Sequence, residues 1–194
     1  MKGIYGLILV ATAALALSGC AVRTETLAAY GDVKLDGNVL TSFTVAHSEP
    51  AQLGKLPFCI ASSVSNESVV VTDAANSYVG PYTGNYYQIT SKTEIGGGNV
   101  LEYVSPDKND VVAKGTTRYW AAMLERAVRY KLTVRDDGVS RTYRFSNVEV
   151  AQINSGYWPN SGFQRAPMNP GAGGGHVLKN LKQVAEEVDS CLRL

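Results

Sequence analysis

The amino-acid sequence predicts an α+β protein, in which a mainly antiparallel β-sheet carries a C-terminal amphipathic helix packed on it. Two observations support this prediction. Short runs rich in β-branched and aromatic residues, separated by turn residues, recur between positions 32 and 150. The last segment, 176–192, instead has apolar residues at helical spacing. With 194 residues, of which 18% are charged, the chain is expected to form one globular domain rather than a disordered polymer.

The clearest β-hairpin is predicted near the middle of the chain. Apolar and polar residues alternate over 128–134, Asp136-Asp137-Gly138 turns the chain, and 142–150 returns. The alternation slips by one residue near Ser146-Asn147, so we expect a β-bulge there.

Further strands are predicted earlier, in shorter runs bounded by Gly, Asp, Asn and Ser. They are 33–35 and 39–40 around the Asp36-Gly37 turn, then 41–46, 58–64 and 68–72, and finally 86–95 and 100–104, which flank Gly96-Gly97-Gly98 as in a hairpin.

The segment 117–127 fits two patterns. Trp120, Met123 and Leu124 fall at helical spacing, whereas Trp120, Ala122 and Leu124 alternate as in a strand. The Ala, Met, Leu, Glu and Arg residues favour the helix, and a long strand is the alternative.

The C-terminal helix is predicted from a continuous apolar stripe, with Lys179, Lys182, Glu186 and Asp189 on its other faces. The members of the stripe are Val177, Leu178, Leu181, Val184, Ala185, Val188, Cys191 and Leu192. Cys191 is therefore expected to face inward.

The first twenty residues have the pattern of a signal peptide. Lys2 precedes an uncharged apolar run over 4–17, which is too short for a retained membrane span. The run ends at Leu17-Ser18-Gly19-Cys20, which resembles the lipobox of bacterial lipoproteins. The resemblance implies that Cys20 receives a thioether-linked diacylglycerol and becomes the first residue of the mature protein. An ordinary secretory signal is the alternative.

This resemblance divides the chain into a signal peptide (1–19), a lipidated N-terminus and tether (20–31) and a single β-rich domain (32–194). In lipoproteins of Gram-negative bacteria, an Asp directly after the lipidated cysteine looks like a signal that retains the protein in the inner membrane. Here Ala21 and Val22 follow instead. The resemblance therefore implies a lipid-anchored protein of the cell envelope, at the outer membrane.

Two cysteines remain after lipidation. In an oxidising envelope, Cys59 and Cys191 are expected to form one disulfide bond. A catalytic Cys59 with His47 or His176 is the alternative, but the apolar neighbours of Cys59 would raise its thiol pKa and make it inert.

The search for other chemistry predicts no catalytic residues, metal site or cofactor. The sequence has no metal-ligand spacing of His and Cys, no P-loop and no dinucleotide fingerprint. Asp107 and Asp110 could bind calcium, but such a pair is typical of a surface turn. The formal charge of +1 argues against a nucleic-acid partner.

The positive feature is a set of aromatic residues in two loops rich in Gly, Pro and Asn. Candidate binding residues are Tyr82, Tyr86, Tyr87, Tyr157, Trp158 and Phe163. Tyr and Trp combine a flat apolar ring with a polar group, which suits protein hot spots and sugar rings. The alternative is that these rings fold back onto the core.

Three functions follow from these features. The first is a non-catalytic accessory or assembly subunit that docks on another envelope protein through the aromatic loops. The second is a module that binds peptidoglycan or another polysaccharide with the same rings. The third, ranked well below, is a hydrolase without a recognisable motif.

Overall fold

The fold is described from a computed structural model that defines residues 27–49, 53–169 and 173–194. Cys20 and the predicted signal peptide, 1–19, lie outside these residues. The strands are β1 (Asp32–Asp36), β2 (Val39–His47), β3 (Ser68–Asp73), β4 (Tyr78–Val79), β5 (Tyr86–Tyr87), β6 (Ser91–Gly96), β7 (Leu101–Val104), β8 (Asp110–Ala121), β9 (Leu124–Asp136), β10 (Arg141–Gln152) and β11 (Gln164–Arg165). The helices are α1 (Leu56–Ser63) and α2 (Gly174–Arg193), with a 3-10 turn at Leu53–Lys55.

The main sheet has seven strands and is antiparallel throughout. Its order is β1-β2-β10-β9-β8-β7, and the short β11 pairs with β10. Two smaller antiparallel pairs, β3 with β6 and β4 with β5, lie outside this sheet. The predicted α+β class, mainly antiparallel with a C-terminal helix on the sheet, is confirmed.

The hairpin β9–β10 and its bulge are found where the sequence predicts them. The register pairs Tyr143 with Val134 and shifts between Ser146 and Glu149. Asn147 has a positive φ of 49°, which takes up the extra residue. The shift keeps Val148 and Phe145 on the same buried face.

The favoured helix over 117–127 is wrong, because this segment forms the end of β8, a two-residue turn and the start of β9. Ala122 and Met123 have φ values of 49° and 63°, the left-handed conformations of a tight β-hairpin turn. Tyr119 is buried and Trp120 is exposed, so burial follows the strand period. Pairing along the whole of β9 outweighs the local helix propensity.

The predicted strand over 58–64 is also wrong, because α1 occupies these residues. Pro57 lies in its first turn, and its buried residues are Leu56, Cys59 and Ile60, at helical spacing. A short apolar run does not distinguish a buried helix from a strand, and here the run packs beside α2.

The glycines Gly96, Gly97 and Gly98 do not close the predicted hairpin. Their φ values of 83°, 90° and 118° carry the chain from one sheet to another, because β6 pairs with β3 whereas β7 pairs with β8. The predicted strand over 86–95 is correspondingly split into β5 and β6.

Both helices pack on one face of the main sheet and form the main core. Leu132, Tyr143 and Phe145 from the sheet meet Leu181 and Val188 of α2 there. On the opposite face, β3 and β6 cover one end of the sheet and form a second, smaller core. Its buried members are Val69, Val71, Ala127 and Ala151.

The predicted disulfide bond joins the two helices. Cys59 of α1 and Cys191 of α2 are bonded, with their Cα atoms 5.7 Å apart. The bond closes a sequence separation of 132 residues. In the chain-entropy view such a closure restricts the unfolded chain and stabilises the fold by at most about 5 kcal/mol.

The expectation that Asp189 lies on a polar face of the C-terminal helix is wrong. Asp189 is fully buried. It lies four residues after Ala185 and three before Leu192, both of which are also buried. It therefore belongs to the packed face and must be paired there.

Candidate binding site: the aromatic surface

Six exposed aromatic residues from two loops form what we call the aromatic surface. They are Tyr78, Tyr82, Tyr86, Tyr87, Tyr157 and Trp158. Each is at least 41% exposed, and Tyr82 is 100% exposed. These rings therefore do not fold back onto the core.

The first loop is the β4–β5 hairpin. Tyr78 and Tyr87 are paired across it, and their rings stack with centroids 5.3 Å apart. The backbone amides of Gly80 and Gly84 donate hydrogen bonds of 2.8 and 2.9 Å that close the turn. A Cβ atom on Gly80 would lie 2.8 Å from the Tyr87 ring, so this position requires glycine. The hairpin thus holds Tyr82 at its tip.

The second loop, 154–163, is attached to β3 by hydrogen bonds. The Ala74 amide donates to the Gly156 carbonyl at 2.7 Å, and the Ser155 amide donates to the Thr72 carbonyl at 3.1 Å. The Asn160 side-chain amide donates to the carbonyls of Thr72 and Gln152. These bonds order the loop against the small sheet and hold Tyr157 and Trp158 outward.

The two loops meet at Tyr86 and Tyr157. Their rings contact edge to face, with centroids 6.4 Å apart. A hydrogen bond to Tyr86 raises the pKa of the Tyr157 hydroxyl above its usual value. Segments separated by about seventy residues thus form one surface, which the sequence presents only as two separate clusters.

The two loops of the aromatic surface contain no charged residue. Positions 74–91 and 153–163 contain no Asp, Glu, Lys or Arg, although 18% of the chain is charged. Tyr, Ser, Gly and Asn dominate both segments. Antibody binding loops have a similar composition, in which rigid aromatic rings supply contact area and small polar residues supply hydrogen bonds.

Phe163 lies apart from the other predicted binding residues. Its ring packs against the second core, and the Arg129 guanidinium lies 4.4 Å from its centroid. The other five predicted residues, together with Tyr78, lie exposed on the two loops that meet at Tyr86 and Tyr157. Phe163 supports the base of the second loop.

The histidines and cysteines do not form a catalytic arrangement. His47 Nδ1 lies 3.7 Å from Asp189, and the His176 ring stacks on Tyr119. Cys59 is held in its disulfide bond. Within the described ranges, no group of three or more His, Cys, Asp or Glu side chains could hold a metal ion.

The two candidate calcium ligands instead bind other residues of the protein. An Asp107 carboxylate oxygen accepts hydrogen bonds from Ser105 and Asn109, and these bonds lower its pKa. Asp110 forms an ion pair with Arg135 at 2.8 Å. The two carboxylates thus stabilise the β7–β8 turn and its neighbour β9.

Sequence reasoning missed a buried ionic cluster in the main core. Arg141 binds both Asp189 and Asp136, and the Tyr143 hydroxyl donates to Asp189 at 3.1 Å. The position of Asp189 within the apolar period of the helix is a sequence signal that indicates its burial. Because the cluster links β10 to α2 and is almost fully buried, its role is structural.

Comparisons of the chain with protein-family models, with curated protein sequences and with solved structures give no significant match. In the described part of the chain, no helix has the length and apolar character needed to cross a membrane.

Proposed function

We propose that this protein is a lipid-anchored subunit of the cell envelope, without catalytic activity, that docks on another envelope protein through the aromatic surface. The observation that carries this proposal is the convergence of two uncharged, hydrogen-bonded loops on one exposed set of Tyr and Trp rings. Burying such rings supplies most of the binding energy in typical protein interfaces.

The order of the loops supports docking by a preformed surface. Stacking of Tyr78 on Tyr87 and the bonds from Asn160 to Thr72 hold both loops before any partner arrives. A rigid surface loses less conformational entropy on binding than a mobile one. The contact between Tyr86 and Tyr157 makes the two loops a single unit.

The position of the first described residues also supports docking through the aromatic surface. Leu27 is buried in the main core, and Tyr30 lies beside Lys179 of α2, on the helix-covered face of the sheet. The second loop is bonded to β3, on the opposite face. The first described residues thus lie on the other side of the sheet from the docking loops.

The ring geometry favours a protein partner over a polysaccharide. Sugar-binding sites present free aromatic faces, on which the sugar stacks. Here Tyr78 and Tyr87 cover one face of each other and Tyr86 meets Tyr157 edge to face, which leaves Tyr82 and Trp158 as the most exposed rings of the surface. A polysaccharide-binding module remains the second proposal, and the experiment below distinguishes it.

The experiment starts from full-length protein in its own membranes. Crosslinking, purification in detergent and mass spectrometry identify what is bound, and the recombinant partner is then titrated against the protein by calorimetry. We expect the double variant Tyr157→Ala, Trp158→Ala to weaken binding by about 30-fold or more, as loss of a hot spot does. Tyr103→Ala, which removes an exposed ring elsewhere, is the matched control and should bind normally.

Two results would contradict the proposal. One is a partner that binds the double variant as tightly as the wild type, because the surface would then be irrelevant to docking. The other is the recovery of cell-wall fragments with no protein, which would support the polysaccharide-binding function instead.

A further inference from the structure

The outer edge of β8 is only partly covered by other strands. Its neighbour β7 pairs with Val111–Ala113, and the Ser65 carbonyl accepts a hydrogen bond from Thr116. β8 continues to Ala121. Among the described residues, no backbone hydrogen bond reaches this outer edge beyond Thr116. Within the described chain, residues 117–121 thus form what we call the open edge segment.

The direction of the backbone groups along this segment follows from the neighbouring bonds. In an antiparallel strand, every second residue directs both its N–H and its C=O to the same side. The amides of Lys114 and Thr116 point outward, because they donate to Val100 and Ser65. Arg118 and Trp120 therefore also direct their N–H and C=O groups outward.

The two open edges of the main sheet, β1 and the uncovered end of β8, differ in chemistry. β1, at one edge, carries Asp32, Lys34 and Asp36, the kind of charges that protect natural edge strands from pairing. The open segment of β8 instead carries Trp120, which is 66% exposed, next to the turn residue Met123, which is 92% exposed. An edge with free backbone groups and exposed apolar side chains is suited to strand addition.

We propose that the open edge segment of β8 pairs antiparallel with the same segment of a second copy, so that the two main sheets join into one across a two-fold axis at Tyr119. This inference is independent of the proposed docking function, because it uses a different surface.

The register follows from the ends of the segment. Ser65 occupies the position beside Thr116, and β8 ends at Ala121, so the available stretch is centred on Tyr119. In this register Arg118 lies opposite Trp120 of the second copy. Both residues direct their backbone groups outward, so the two copies exchange four backbone hydrogen bonds.

The side chains of the segment complement each other in the same register. Arg118 and Trp120 lie on the sheet face opposite the helices, and both are exposed. Across the axis, each guanidinium would contact an indole of the other copy in a cation–π pair, and the symmetry produces this pair twice. Glu125 of β9 forms an ion pair with Arg118 at 3.2 Å and offsets its charge.

A second copy explains this complementarity better than an unrelated strand does. Two-fold pairing is isologous, so Arg118 of each copy contacts Trp120 of the other. It also closes the open edge of both copies, which leaves no free edge at β8 for further addition.

The test is the mass of full-length protein in detergent, measured by light scattering after size-exclusion chromatography over a range of concentrations. We expect wild-type protein to form dimers and Trp120→Lys to weaken them by about tenfold or more, because it replaces two cation–π pairs by two repulsions. Lys at this position lies opposite Glu125 in the same chain, so the fold is kept. Tyr82→Lys, a change at the fully exposed hairpin tip, is the control and should remain dimeric.

A second measurement tests the register. In the proposed dimer Thr117 lies opposite Ala121 of the second copy, so the double variant Thr117→Cys, Ala121→Cys should form disulfide-linked dimers on oxidation. Thr117→Cys alone should not, because its two copies lie four residues apart in register. Monomeric wild-type protein would overturn the proposal. So would dimers that survive Trp120→Lys or lack the crosslink. A third outcome is monomeric protein in which the Arg118 and Trp120 amides are protected from hydrogen exchange in native membranes. This result would mean that a strand of another protein pairs with the segment instead.

Discussion

The guanidinium of Arg141 and the carboxylate of Asp189 form a buried ion pair that links β10 to α2 across the main core. Arg141 is 2% exposed and Asp189 is fully buried. Asp136 accepts a second hydrogen bond from Arg141 at 2.9 Å, and Tyr143 donates to Asp189. The C-terminal helix is thus held on the sheet by a polar contact as well as by its apolar stripe.

Removing one member of this pair should be strongly destabilising. We expect Asp189→Ala to lower the free energy of unfolding by about 3–5 kcal/mol, because it leaves the Arg141 charge buried with less compensation. Urea unfolding followed by circular dichroism measures the change. Glu186→Ala, which breaks the exposed pair with Lys182, is the control and should cost less than about 0.5 kcal/mol. Equal losses for the two variants would refute a stabilising role of the buried pair.

The disulfide bond should act as one unit. We expect Cys59→Ala and Cys191→Ala each to destabilise the domain by about 2–5 kcal/mol, and the double variant to be no worse than either single variant. Thermal unfolding of the three variants, compared with reduced wild-type protein, checks this. Additive losses would mean that the two thiols contribute independently.

Gly115 of β8 is required by close packing. A Cβ atom there would lie 2.5 Å from the Tyr130 hydroxyl and 2.7 Å from a methyl group of Val64. We expect Gly115→Ala to lower the free energy of unfolding by about 1–3 kcal/mol, because the crowded core must shift. Gly54→Ala, where a Cβ meets nothing within 4 Å, is the matched control for denaturant unfolding. A neutral Gly115→Ala would show that the core accommodates the methyl group.

The β9–β10 turn should contribute to acid sensitivity. Hydrogen bonds from the Ser140 and Val139 amides hold the pKa of Asp137 below its ordinary value. A lowered pKa in the folded protein means that the stabilisation is fully present above the unfolded pKa of about 4 and is lost as pH falls through the folded value. Urea midpoints at neutral pH and below pH 4 measure this loss. In Asp137→Asn the acid-dependent loss should be smaller, and an unchanged loss would assign it to other carboxylates.

The lipid anchor is tested at its attachment site. We expect Cys20→Ser to abolish lipid labelling and to leave the protein unprocessed or released from the membrane, because the resemblance to a lipobox places the lipid on this cysteine. Membrane fractionation with radiolabelled fatty acid provides the measurement. Normal labelling and fractionation of the variant would rule out the lipobox interpretation.

Elements with strong local signals are predicted well from the sequence. The β9–β10 hairpin follows from alternation and the Asp136-Asp137-Gly138 turn, and its bulge follows from the slip near Asn147. The helix predicted over 117–127 is wrong because Ala, Met and Leu favour a helix locally, whereas pairing with a neighbouring strand is a non-local gain. The same limit applies to α1, whose short apolar run fits either structure.

The candidate site is likewise predicted only in part from the sequence. Exposure of Tyr82 and Trp158 agrees with their setting in loops rich in Gly, Pro and Asn. Contact between Tyr86 and Tyr157 requires the second loop to bond to β3, and no local pattern reports that. The burial of Asp189 beside Arg141 likewise depends on which helix face meets the sheet.

Residue period, turn chemistry and the count of cysteines are enough to predict the antiparallel sheet, the main hairpin, the C-terminal helix and the pairing of Cys59 with Cys191. The contact between the two aromatic loops, the meeting of Arg141 and Asp189 in the core and the open edge of β8 become visible only in the folded chain. Local patterns fix which face of an element is apolar. Which distant element covers that face is decided by the burial and pairing of the whole chain.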